Sequence, residues 1–214
     1  MASHQPHETQ AVALALLALA FVLSTATAYA QMPVSPLIVS ETSVIRFMPR
    51  IPSGDVRDGS CWTESIAVNR PGAWRCAVGN GISDPCFVMP ASPGRLVCDA
   101  DPALKTDGFV LKLTKPLPKS SLADQKPEPW VFRLADNSIC EAMTGTLPAV
   151  NGEPARWSCA IHIRDQVRPD GVVTDLTPGK IWMADKFPES AISFGPPKAE
   201  KVEPEKVPVK VVWE

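Results

Sequence analysis

From about residue 36 onward the apolar positions come in short runs with a period near two, and no stretch carries a long helical stripe. Between 108 and 118, Phe109, Leu111 and Leu113 alternate with Val110, Lys112 and Thr114, the pattern of a half-buried strand. The run PLIVSETSVIRFMP at 36–49 is β-branched and partly alternating, and reads the same way. PWVFRLADNSICEAM, which begins at Pro129, predicts a hairpin with two apolar runs around Asp136-Asn137, and ARWSCAIHI at 155–163 returns after a turn at Asn151-Gly152. KIWMADKF and SAISF complete the set, with Pro169-Asp170-Gly171 and Pro178-Gly179 as turns. One stretch departs from this pattern. Pro71 suits the first position of a helix, Ala73 to Val78 make two turns and Gly79-Asn80-Gly81 supplies the stop, so a short helix is expected near residues 71–79.

The end of the chain divides in two. PPKAEKVEPEK, residues 196–206, is charged and proline-rich and suits a linker. VPVKVVWE, residues 207–214, places Val207, Val209, Val211 and Trp213 on one strand face. The preferred reading is a closing strand docked on the domain, and the alternative is a strand added to the sheet edge of a partner.

Composition strengthens the β reading. All but one of the 23 prolines follow residue 30, more than twice the usual share of about 5%, and each interior proline would remove a helical donor and clash with the preceding turn. The first thirty residues stand apart, with the apolar run Ala11 to Leu23 followed by a small-x-small site at Ala28-Tyr29-Ala30. That is the composition of a secretory signal, with a membrane anchor through residues 11–30 as the alternative. Removing 30 of the 214 residues leaves 184, enough for a single β-rich domain over 31–195. Glu8 leaves with the signal, so 21 basic groups face 22 acidic ones. This balance favours neither nucleic acid nor an anionic membrane as partner.

Six cysteines, an even number in a chain read as exported, predict three disulfides. Their spacing favours local pairs: Cys61 with Cys76, Cys86 with Cys98, and Cys140 with Cys159, the last pair on neighbouring strands. The expected fold is mainly β, a small disulfide-stapled sandwich or barrel-like domain with that one short helix.

Gly59-Ser60-Cys61-Trp62 resembles the nucleophile run of papain-like cysteine proteases, but the family's oxyanion Gln is replaced by Asp55 and its preceding Cys by Asp58. A carboxylate at the oxyanion position repels the charge that must be stabilised. The one histidine beyond the signal, His162, lacks that family's context, so a Cys61/His162 thiol hydrolase is the remotest of the alternatives. It also rules out a His-x-x-His zinc site, and no cofactor or metal is expected. Asp99, Asp101 and Asp107 do not follow the EF-hand spacing and read as acidic turn residues. Glu64, Asp84, Glu141 and Asp165 remain as carboxylates that would have to meet in space for a secreted hydrolase. Trp62, Trp74, Trp130 and Trp157 each lie near a Pro or Cys, which suits packing against disulfides.

The segments CWTESIA, RPGAWRC and GNGISDPCF, within Gly59 to Phe87, resemble a signature of secreted proteins from actinobacteria and related bacteria. The resemblance implies export and ordered cysteines and brings no established activity. The rigid loop it covers suggests Arg70, Arg75, Asn80 and Asp84 as a small polar binding surface. No residue is assigned a catalytic role. The functional expectation is a noncatalytic cell-envelope or extracellular binding module of unknown protein or cell-wall ligand, with a carboxylate-pair hydrolase as the rival.

Overall fold

The short alternating runs form strands, and the strands close on themselves twice. The computed structural model describes residues 39–121, 128–164, 166–196, 198 and 200–214. The expected signal, the start of the 36–49 run and the Asp165 side chain lie outside them.

The first ring is a meander of five strands: β2 (Val56–Glu64), β3 (Ala73–Val78), β4 (Gly81–Val88), β5 (Arg95–Cys98) and β6 (Phe109–Leu113). Consecutive strands are antiparallel, so with an odd number the first and last run the same way and must close in parallel. They do, from Val56 opposite Val110 to Gly59 opposite Leu113. Its interior holds Trp74, Leu96, Phe109 and Leu111 around Cys61, Cys76, Cys86 and Cys98.

The second ring has six strands: β7 (Val131–Leu134), β8 (Ile139–Ala142), β11 (Trp157–Ile163), β12 (Gln166–Thr177), β13 (Met183–Phe187) and β14 (Glu205–Trp213). An even number closes antiparallel, and Val212 faces Phe132 across the β14–β7 seam. Phe132, Leu134, Trp157, Val173, Ala184, Val207, Val209 and Val212 fill it, with Cys140 and Cys159. β1 (Ser43–Ile45) extends this sheet in parallel along β14, and β9 (Ala149–Val150) with β10 (Glu153–Pro154) forms a separate hairpin.

All three expected disulfides are present: Cys61–Cys76, Cys86–Cys98 and Cys140–Cys159. Each joins residues directly opposite one another on paired strands, which fixes register as well as proximity. Cys61 is therefore bonded, and no thiol is available there.

The helix expected near 71–79 is instead strand β3. Six residues fall short of what a helix needs to stand alone, while β2 and β4 supply hydrogen-bond partners on both edges. The expected helix stop is the hairpin turn between β3 and β4, with Gly79 at φ 58°. Pro169-Asp170-Gly171 is likewise no turn but a bulge inside β12, where Ser158 pairs with Val172 while Ala160 pairs with Pro169. Gly171 sits there at φ 96°, and any side chain would collide with the Phe187 carbonyl oxygen. SAISF forms a single 3-10 turn, Glu189–Ala191, and one bridge from Ser193 to Ala149 instead of a strand. The 196–206 linker is held down in part: Asn151 both donates to the Val202 carbonyl and accepts its N–H, and β14 begins by Glu205.

Between the rings lies a third apolar cluster, with Val68, Ala73, Phe87 and Ala103 from the first half against Trp130, Val131 and Ile139 from the second. Phe47, Phe87 and Trp130 meet there with ring centroids 5.7–5.9 Å apart. Three arginines stitch the same boundary by donating to main-chain oxygens across it: Arg70 to Glu214 at 2.8 Å, Arg75 to Thr144 at 3.0 Å and Arg133 to Ala103 at 2.8 Å. Among the described residues no helix is long and apolar enough to cross a membrane.

Candidate functional site

The six-stranded ring has two unlike ends. At one, Lys186 follows Ala184 by two residues and so points to the same inner side of β13. Its ammonium donates to Asp136 at 2.6 Å, to Asp170 at 2.5 Å and to Ser138 at 3.2 Å. The Gly171 bulge aims Asp170 at it, and the β7–β8 turn brings Asp136. Burial works to lower the Lys186 pKa, but the hydrogen bonds and charges of the two aspartates outweigh it and raise it. Burial also works to raise Asp136, and the Lys186 and Ser138 hydrogen bonds hold it below its ordinary value.

This ion cluster ties β13 to β12 and to the β7–β8 turn, and its stability contribution has a defined window. On the acid side it is in place above an unfolded aspartate value of about 3.9 and fades as pH falls through the lowered Asp136 value. On the alkaline side it is complete below about 10.4 and is lost as pH rises through the raised Lys186 value. Replacing both acids, Asp136→Asn with Asp170→Asn, strands the ammonium and is expected to cost about 2 kcal/mol in urea unfolding at pH 7, a fully buried pair being worth more. Lys186→Met should cost less, because both part-exposed carboxylates can rehydrate.

The opposite end is open. A groove of about 280 Å³ has Trp157, Leu176 and Trp182 at its base and Glu128, Arg156 and Asp175 at its rim. Trp157 is fixed from below by edge-on contact with Phe132 at 5.7 Å and by its indole N–H, which donates to the Pro129 carbonyl at 3.1 Å. Trp182 is held through its backbone: buried Thr42 accepts its N–H at 2.7 Å and donates to the Val209 carbonyl, while Val209 N–H donates to the Trp182 carbonyl. Glu128, Arg156 and Asp175 enter none of the ion pairs formed among the described residues. The groove thus joins a rigid aromatic base to charged groups with open hydrogen-bonding capacity, a common arrangement at the mouth of a β-barrel.

The four residues suggested from the rigid loop fall in three places. Arg75 and Asp84 pair with each other at 3.0 Å, and the Asp84 side chain, only 2% exposed, also accepts from Ser65 Oγ and from the Ile66 N–H. Arg70 is buried between the rings, and Asn80 stands exposed at the β3–β4 turn. Of the hydrolase candidates, Glu64 accepts hydrogen bonds from Ser120 and Ser121. Glu141 meets Asp101 rather than the other three: burial first, then the charge and hydrogen bond of Asp101, push its pKa up to about 7. Asp101 in turn accepts the Ala103 and Leu104 N–H groups at 2.7 and 2.9 Å, the acidic turn expected from sequence. His162 lines a separate shallow groove with Arg133 and Asn137. Sulfurs of Cys76, Cys86 and Cys98 lie within 4.8 Å of one another, and all are held in disulfides.

Trp182, Arg156 and Asp175 were not singled out by sequence. They are scattered over 27 residues and meet only because β11, β12 and β13 bring the same end of the ring together. No known protein family, no curated protein and no solved structure matches this chain.

Proposed function

We propose that the protein is an exported, noncatalytic binding module of the cell envelope or extracellular space, and that the open mouth of the six-stranded ring takes a sugar chain. The observation that carries this reading is the groove in which Trp157 and Trp182 underlie Arg156, Asp175 and Glu128. An indole face matches the apolar face of a pyranose ring. Carboxylates accept from sugar hydroxyls and the guanidinium donates to them. The signal-like segment and the three disulfides support an oxidising, extracytoplasmic setting.

Tryptophan fluorescence and calorimetry with chitotetraose and cellotetraose test the reading. One of these is expected to bind, and Trp182→Ala to weaken it roughly ten-fold or more while leaving the circular dichroism unchanged. Absence of binding by both, or binding indifferent to Trp182, removes the sugar-chain assignment. The rival hydrolase would draw on Glu141 beside Asp101, a carboxyl pair on the exposed side of β8. Release of new reducing ends from either tetramer, abolished by Glu141→Gln, would decide for the rival.

A further inference from the structure

We propose that Arg46 and Arg70 form a second ligand site, a receptor for a carboxylate carried on a short apolar chain. The residues after β1, the β2–β3 loop and the end of β4 enclose a groove of about 320 Å³. Its walls are apolar, with Met48, Pro49, Pro71, Phe87 and Val88, and the two arginines are its charged groups. This volume is at the small end of the range for small-molecule clefts.

Arg70 is only 4% exposed. Its guanidinium lies over the Phe87 ring at 4.5 Å, and Nη1 donates to the Glu214 main-chain oxygen. That oxygen already accepts the Phe47 N–H. The rest of the Arg70 fork finds no acceptor among the described residues, and no acidic side chain among them pairs with either arginine. Burial followed by the charge of Arg46 lowers the Arg70 pKa to about 10. The other two arginines at the ring boundary differ: Arg75 has Asp84, and Arg133 shares its groove with no second arginine.

An anion entering this groove would meet the exposed Arg46 guanidinium and the donors of the Arg70 fork that Glu214 leaves unused. The planar guanidinium fork matches a carboxylate, and the ring beneath it keeps the fork flat and oriented. The proline, methionine and phenylalanine walls then favour an aliphatic body over a hydrated one, because burying it removes apolar surface from water. The site is separate from the barrel mouth and does not depend on the sugar reading.

Calorimetric titration of the intact protein with octanoate, against 1-octanol as the neutral control, tests it. Octanoate is expected to bind and octanol to bind at least ten-fold more weakly. Arg46→Gln, an exposed position, should weaken octanoate about five-fold, and added salt should narrow that difference. Arg70→Lys keeps the charge but loses the fork, and should weaken it about ten-fold. If Arg70→Lys fails to fold, Arg46→Gln still carries the comparison. Trp182→Ala should leave octanoate binding unchanged. Equal binding of octanol, indifference to Arg46, or loss of binding in Trp182→Ala overturns the assignment.

Discussion

Removing both disulfides of the five-stranded ring, by changing Cys61, Cys76, Cys86 and Cys98 to alanine, is expected to lower the unfolding free energy by about 6 kcal/mol. The two bridges close loops of 15 and 12 residues, and each such closure removes about 3 kcal/mol of unfolded-state entropy. The ring itself spans only residues 56–113, and a domain of that size has a total stability of a few kcal/mol. Four of the eight buried residues in its interior cluster are these cysteines, so their loss also thins the core. Equilibrium urea unfolding of this variant, compared with one lacking only Cys140 and Cys159, measures the effect. A loss under about 2 kcal/mol would mean that hydrophobic packing alone sustains the first ring.

The second large effect is a contrast within one strand. Val212→Asp or Val209→Asp should cost more than about 4 kcal/mol, whereas Val211→Asp should stay within about 1 kcal/mol. Strict alternation would place 209 and 211 together inside and leave 212 outside. A bulge intervenes: Val209 pairs with Leu134 and Val211 with the very next residue, Arg133, so β14 carries one extra residue at Lys210. The pleat changes sides, and Val209 and Val212 are fully buried while Val211 is only partly so. An aspartate at 211 is also placed opposite Arg133. Thermal unfolding of the three variants side by side reads the ranking, and an intolerant 211 with a tolerant 212 would contradict the register.

The same bulge shows why the sequence was legible in some places and not in others. Strand existence, the hairpin at Asp136-Asn137, the turn at Asn151-Gly152 and every disulfide followed from local signals: alternation, turn chemistry and cysteine spacing. The C-terminal strand was anticipated too, and of its two readings the docked one holds. Where sequence misled, a tertiary partner overrode a local preference. Ala73 to Val78 has acceptable helix formers, yet two neighbouring strands and a cross-strand disulfide claim it. Pro169-Asp170-Gly171 has turn chemistry, but a twelve-residue strand uses it to bend around a ring. The candidate mouth was invisible for another reason: neither the distance between Trp157 and Trp182 nor the openness of one barrel end is encoded in any local pattern.

The two closures also differ in when they can happen. Every strand of the five-membered ring has been made once Leu113 is available, so the first half can complete its hydrogen bonding from chain already present. The six-membered ring cannot. Its seam pairs β7 with Val209 to Trp213, at the extreme end of the sequence given. As the polypeptide emerges, β7 and β13 therefore keep unsatisfied edges facing each other across a gap until β14 arrives. Strand β14 is the latch of the second barrel, and its docking decides when that half ceases to be an open sheet.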